Sequence, residues 1–114
     1  MEQTNIAEYE KAIDRYHELA RQNPNDVTLL TNLAWSYERA GEHKQAVQQF
    51  KQALEVDQDS IDAQYGLGVA LFGADQMADA RRAFEHTLEL VAQSDDRSYM
   101  VVVQEQVNVY MRRF

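Results

Sequence analysis

The chain has 114 residues, and 45% of them are apolar, which is enough to fill one hydrophobic core. Glycine (four residues) and proline (one residue) are scarce, so the composition favours helices and indicates an all-α domain. The formal net charge of −8 extends over both halves of the chain, which excludes a basic face for nucleic acid. Cysteine is absent, so neither disulfides nor thiolate chemistry are expected.

The terminal sequence and the apolar runs bear on where the chain resides. No apolar run approaches the roughly 20 residues that a membrane-spanning helix needs. Residues 1–14 also lack the basic and then apolar pattern of a secretory signal. We therefore expect a cytoplasmic protein without a membrane partner.

Helical periodicity of the apolar residues divides the chain into six segments with polar connectors. Pro24 ends the first segment, and Asp26 can cap the start of the second. The Asp-Ser pair at 59–60 and the Ser-Asp pair at 94–95 offer caps for the fourth and sixth segments. The predicted helices span 4–22, 26–40, 43–57, 60–73, 76–92 and 96–112.

Two connectors are short enough to form helical hairpins. Gly41 lies between the second and third predicted helices, where it can adopt the left-handed conformation that ends a helix. Asp75 occupies the equivalent position between the fourth and fifth. The sequence therefore predicts a tight helix-to-helix turn at both sites.

An internal repeat relates the hairpins to one another. A shift of the sequence by 34 residues superimposes small residues on small residues and aromatic residues on aromatic residues. The small set is Ala12, Ala46 and Ala80, and the aromatic set is Tyr16, Phe50 and Phe84. A helical-period stripe of this kind usually packs in the core. We expect core positions for the small residues Ala34, Ala46, Gly68 and Ala80 and for the aromatic residues Tyr37, Phe50 and Phe84.

The repeated unit resembles the tetratricopeptide repeat, a helix-turn-helix with the signature W-x2-L-G-x2-Y followed by A-x3-F. The second unit matches this pattern at Leu30, Leu33, Ala34, Tyr37, Ala46, Phe50 and Ala53. The third unit matches it more weakly, at Leu67, Gly68, Ala80 and Phe84. The resemblance divides one domain, 1–114, into a half repeat at 4–25, full repeats at 27–60 and 61–94, and a capping helix at 95–114.

The resemblance implies an all-α, right-handed superhelix of helix-turn-helix hairpins, with about six helices and an amphipathic C-terminal cap. It also implies a protein-protein interaction scaffold or adaptor that binds a peptide or helix of a partner in its concave groove. The residues expected along this groove are Thr28, Thr31, Asn32, Trp35, Glu38, Arg39, Asp62, Tyr65, Val69 and Phe72.

The expected groove is unusually apolar, because it contains Trp35, Tyr65, Val69 and Phe72. Exposed apolar and aromatic surface of this kind usually marks a binding site. Two alternatives remain open for the same residues. In one, the last helix of the chain covers them; in the other, they pack between adjacent first helices of the repeats.

The last predicted helix has a seam of a-and-d type, with apolar residues at alternating intervals of three and four. The seam residues are Met100, Val103, Val107, Tyr110 and Phe114. We expect this helix to cap its own chain. Val102 and Val109 lie off the seam, and they motivate an alternative function, homo-oligomerisation through the helix to give a homodimer.

One subgroup of the family binds chaperones by clamping C-terminal carboxylates between lysine, asparagine and arginine side chains. The resemblance carries over the asparagine, which is Asn32 here. The basic positions one repeat later hold Asp62 and Gly66 instead. Acidic chaperone tails are therefore poor candidate ligands for this chain.

The residues that carry enzyme chemistry do not form recognisable patterns. His17, His43 and His86 lack the spacing of metal ligands. Gly66 and Gly68 fall inside a predicted helix, with no third glycine to form a phosphate-binding loop. We expect a protein or peptide partner, no enzyme activity, no cofactor and no metal site.

Overall fold

A computed structural model describes residues 2–114, with side chains from Ile6 onward, and these residues form six helices without a strand. The helices are α1 (Glu2–Gln22), α2 (Val27–Arg39), α3 (His43–Val56), α4 (Ile61–Gly73), α5 (Met77–Gln93) and α6 (Arg97–Met111). The predicted all-α class and the number of helices are confirmed, and every helix end lies within two residues of its predicted position.

Side-chain caps fix the start of three helices. Asp26 accepts a hydrogen bond from the backbone N–H of Leu29, at 3.1 Å, and Ser60 accepts one from that of Ala63, at 3.2 Å. The cap of α6 is Asp96, not the predicted pair at 94–95. Ser94 is the C-cap residue of α5, and its hydroxyl accepts a hydrogen bond from the backbone N–H of Asp96.

Both predicted hairpin turns contain a left-handed residue. Gly41 has φ of 82° between α2 and α3, and Asp75 has φ of 64° between α4 and α5. Aspartate is one of the few residues with a side chain that tolerate this region. The two hairpins, α2–α3 and α4–α5, therefore turn in the same way although only one has a glycine.

Successive helices pack on one another along the chain, and α2 also contacts α4. The predicted repeat positions form the centre of the core, where Ala46, Phe50, Ala80 and Phe84 are fully buried. Glycines let α4 approach these rings closely: a Cβ on Gly66 would lie 2.2 Å from the Phe50 ring. The alternation of large and small residues thus sets the distance between helices.

The C-terminal helix α6 packs on α5 of its own chain. Its seam residues Met100, Val103 and Val107 are buried, and Tyr110 stacks on Phe84 with ring centroids 4.9 Å apart. The predicted amphipathic cap is confirmed, and homo-oligomerisation through the seam is not supported, because the chain itself covers these residues. No helix within residues 2–114 is both long and apolar enough to cross a membrane.

Candidate functional site

A groove runs between α2 and α6 along α4, and two cavities open into it. The first, here called the Trp35 pocket, has a volume of about 440 Å³. It is lined by Trp35, Arg39, Asp62, Tyr65, Tyr99, Val102, Val103 and Gln106. The second, the Phe72 pocket, has a volume of about 330 Å³ and is lined by Glu38, Val69, Phe72, Gly73, Val109, Tyr110 and Arg113.

Core contacts and one hydrogen bond hold the indole of Trp35 at the wall of its pocket. The ring lies edge-on to Phe50 at 5.1 Å and tilted against Tyr65 at 5.9 Å. Its Nε1–H donates a hydrogen bond to Oδ1 of Asp62, at 3.3 Å. The half-buried indole is therefore oriented before any ligand binds, which lowers the entropic cost of binding.

Charged side chains surround the aromatic wall of the Trp35 pocket. The guanidinium of Arg39 lies 5.8 Å from the centre of the Trp35 ring, within the range of a cation-π interaction. Partial burial raises the pKa of Tyr99, and the nearby carboxylates of Asp62 and Asp96 raise it further. Burial also raises the pKa of Tyr65 to about 12, so both tyrosines stay neutral phenols at physiological pH.

In the Phe72 pocket, the C-terminal segment covers the aromatic floor. Phe72 lies edge-on to Tyr110 at 5.3 Å and to Phe114 at 6.0 Å. The Arg113 guanidinium lies 5.9 Å from the centre of the Phe72 ring. Self-coverage, one of the alternatives that the sequence left open, therefore holds for Phe72.

A partly buried hydrogen bond between Glu38 and His43 borders the Phe72 pocket. The imidazole Nδ1 of His43 lies 2.7 Å from Oε1 of Glu38, whose side chain is only 14% exposed. Burial raises the pKa of Glu38, and the hydrogen bond and charge of His43 oppose that effect only in part. This pair joins the end of α2 to the start of α3 beside the groove.

Seven of the ten predicted groove residues line the two pockets, and the other three do not. Thr31 is buried, and its hydroxyl donates to the backbone oxygens of Val27 and Thr28. Thr28 itself is exposed and Asn32 is half-buried, but neither lines either pocket. Including Thr31 as a contact residue was wrong, because the packing at this position of α2 leaves the residue only 5% exposed.

The sequence analysis missed the contribution of α6 to the groove. The pockets are lined by a stripe with spacings of three and four, formed by Tyr99, Val102, Gln106 and Val109 of this helix and by Arg113 just beyond its end. The same spacing was the signal that could have revealed them. It identifies a second face of α6, beside the seam, and explains why Val102 and Val109 lie off that seam.

Metal chemistry has no obvious place in this groove. Within the described part of the chain, no three histidine or carboxylate side chains come together in an arrangement that could hold a metal ion. The arrangement offers aromatic faces, apolar contacts and paired charges, which are the groups that bind polypeptide side chains.

Two protein-family models match the chain, and both describe tetratricopeptide repeats. One spans residues 6–59 and the other residues 38–102. The small glutamine-rich tetratricopeptide repeat-containing protein 2 of Mycosarcoma maydis is 30% identical over 83 residues, which are 73% of this chain and 24% of that protein. The chain thus spans about a quarter of the length of this relative.

Solved structures with a similar fold include the Sgt2 TPR domain from Aspergillus fumigatus, at 27% identity and a TM-score of 0.74. That match covers 93% of this chain and 70% of the other. The second TPR domain of human RPAP3, in complex with the HSP70 peptide SGPTIEEVD, has a TM-score of 0.73 at 22% identity, over 90% of this chain and 82% of that one. One family model alone covers more than half of the sequence, so the chain belongs to the tetratricopeptide repeat family.

Proposed function

We propose that this domain is a non-catalytic adaptor whose groove between α2 and α6 binds a segment of a partner polypeptide. The observation that carries the proposal is the open aromatic wall of the Trp35 pocket, where Trp35 and Tyr65 lie beside Val102. Val102 is 53% exposed, so apolar surface is available there for a ligand to bury. Aromatic side chains in such positions usually provide most of the binding free energy.

A relative supports a peptide as the type of ligand. The human RPAP3 domain, which shares this fold, is described in complex with an HSP70 peptide. Its peptide, SGPTIEEVD, has three acidic residues among its last four. The groove of this chain balances Asp62 and Glu38 with Arg39 and Arg113, but the whole chain has a net charge of −8, which opposes an acidic ligand. A neutral or basic segment with apolar side chains therefore fits this groove better than an acidic one.

Two neighbouring valines of α6 allow a matched test of the groove. Val101 and Val102 are 55% and 53% exposed, but only Val102 lines the Trp35 pocket. Peptides would first be selected from a random displayed library on the immobilised domain. Their affinities would then be measured for the wild type and for the Val101→Gln and Val102→Gln variants.

We expect Val102→Gln to weaken binding by about fivefold or more, because a polar side chain replaces apolar surface that the ligand buries, worth about 1 kcal/mol. Val101→Gln should leave the affinity within about twofold, since that side chain points away from the groove. Equal effects of the two substitutions, or no effect of either, would show that the selected peptides bind elsewhere and would contradict the proposed function.

A further inference from the structure

The Trp35 pocket combines two kinds of group that attract positive charge. The first is the aromatic face, which Trp35, Tyr65 and Tyr99 contribute from three different helices. The second is the exposed carboxylate of Asp62, which receives one hydrogen bond from the indole and has capacity to accept others. Aromatic faces and a carboxylate around one cavity form a suitable environment for an ammonium or guanidinium group.

A cation of the chain itself already occupies part of this environment. The guanidinium of Arg39 lies over the Trp35 ring, at 5.8 Å from its centre. Arg39 is exposed, and its long side chain emerges at the end of α2, where it can rotate into solvent. The indole face therefore binds a guanidinium in this structure, and a cation from a partner can take the same position when Arg39 leaves it.

The wider charge distribution favours the same kind of ligand. Beyond the effect of burial, Asp96 at the start of α6 acts together with Asp62 to raise the pKa of Tyr99, while the Asp96 side chain caps the helix by accepting a hydrogen bond from the backbone N–H of Tyr99. The pocket itself is lined by one carboxylate, that of Asp62, and by one guanidinium, that of Arg39, in a chain with a net charge of −8. An incoming basic side chain would experience attraction at long range from the whole chain and, once Arg39 leaves the indole, from Asp62 inside the pocket.

We infer that the Trp35 pocket accepts a lysine or arginine side chain of the bound segment, held between the aromatic rings and the Asp62 carboxylate. This inference rests on the proposed function and specifies its partner as a segment with a basic anchor residue. The cation-π interaction is expected to be partly desolvated, because the Trp35 and Tyr65 rings are themselves half-buried.

The test uses a peptide selected from the random library, together with a copy in which its basic residue is replaced by glutamine. Both would be titrated against the wild type and against Asp62→Asn, in which the amide oxygen can still accept the indole hydrogen bond. Asp14→Asn is the matched control, because Asp14 is an exposed aspartate of α1 that lines neither pocket and its replacement changes the net charge equally.

On the wild type and on Asp14→Asn, we expect the glutamine peptide to bind about tenfold more weakly than the parent peptide. On Asp62→Asn, the two peptides should differ by less than about threefold, because the carboxylate that attracts the basic residue is absent. Arg39→Met should tighten binding of the basic peptide, since it removes the competing guanidinium and keeps an unbranched apolar side chain. The opposite result, a weaker complex with Arg39→Met, would overturn the inference.

Separate results distinguish the failure of this inference from that of the proposed function. Peptides that depend on Val102 but are indifferent to Asp62→Asn, or that contain no preferred basic residue, would overturn the cationic anchor and leave the groove intact as a binding site. If the peptides bound the wild type and Val102→Gln equally well, both the groove as a binding site and the cationic anchor would be ruled out.

Discussion

At the scale of single residues, glycine positions in α4 determine how closely the helices pack. Gly66 lies against Phe50 and Gly68 against Phe84, and a Cβ on either would lie within 3 Å of the ring. Both rings belong to fully buried side chains, so neither can move aside easily. The close contact of α4 with its neighbours therefore depends on the absence of two methyl groups.

Gly66→Ala should destabilise the domain by about 1–3 kcal/mol, because the added methyl overpacks the Phe50 ring. The sign of this stability change tests the packing, since Gly→Ala in an unobstructed helix stabilises a protein by up to about 1 kcal/mol. Urea unfolding followed by circular dichroism measures the change. Gln48→Ala, at an exposed site of α3, is the control, and a Gly66→Ala variant as stable as the wild type would contradict this packing.

The buried carboxyl of Glu38 gives a prediction about pH. Because burial raises its pKa above the ordinary value of 4.5, folded Glu38 retains its proton to higher pH than the unfolded chain does. Its contribution to stability is thus fully present below the unfolded pKa and is lost as pH rises through the folded pKa. The wild type should therefore lose stability relative to the Glu38→Gln variant as pH rises from about 4.5 towards neutrality. The free energy of unfolding of the variant, minus that of the wild type, should increase over this range.

Glu18→Gln is a control of opposite sign. The hydrogen bond from Arg21 lowers the pKa of the exposed Glu18, so its contribution to stability is present above the unfolded pKa and is lost as pH falls through the folded pKa. The corresponding difference for Glu18→Gln should therefore not increase from about pH 4.5 towards neutrality. Urea titrations at several pH values would measure both variants. A flat or decreasing difference for Glu38→Gln would show that its carboxyl is not buried as the structure places it.

At the scale of helices, side-chain caps define where α2 begins. Asp26→Ala removes the hydrogen bond to the N–H of Leu29 and should reduce the free energy of unfolding by about 1 kcal/mol. Asn25→Ala changes the preceding exposed residue and should have an effect below about 0.5 kcal/mol. Thermal unfolding compares the two, and equal losses would show that the Asp26 cap does not form.

Helix α6 offers a matched pair of valines that tests its packing. Val107 is fully buried and Val109 is 51% exposed on the same helix. Val107→Ala should lower stability by about 1–3 kcal/mol through the cavity that it leaves, whereas Val109→Ala should change it by less than about 0.5 kcal/mol. If the loss with Val107→Ala depended on protein concentration, a second copy rather than its own chain would cover the seam.

The helices could be predicted from sequence because their signals are local or periodic. Caps such as Asp26 and Ser60, the left-handed turns and the 34-residue repeat of Phe50 and Phe84 are all visible in one dimension. The composition of the groove was less predictable. Its second wall comes from α6, which lies outside the repeats, so no repeated position in the sequence indicated where Val102 would face.

Which side chains the neighbouring helices bury could not be decided from the sequence, which left coverage by the last helix as an open alternative. A single angular offset along α2 selected Thr31 with Trp35, but Thr31 is 5% exposed whereas Trp35 reaches the pocket. The side chain of Phe72 is likewise covered by Tyr110 and Phe114, which are distant from it in the chain. Such coverage depends on how α6 folds back, which periodicity within one helix does not encode.

At the scale of the whole molecule, two hairpins and a cap form one groove on an acidic domain, with α2 and α6 as its walls and α4 as its floor. The α2–α3 hairpin provides Trp35, the α4–α5 hairpin provides Asp62 and Tyr65, and α6 provides Val102. Each element is held by contacts of its own, so the groove is formed before a ligand arrives. A preformed groove with an open aromatic wall suits an adaptor that binds short segments of other proteins.

The most direct test follows the indole N–H of Trp35, the single tryptophan of the chain, by NMR during titration with a selected peptide. We predict that this signal and the backbone amides of Val102 and Gln106 shift together, while the amides of residues 6–22 in α1 stay in place. An unchanged indole signal, with shifts concentrated on α1 or α3, would place the binding surface elsewhere and contradict the groove as the site of function.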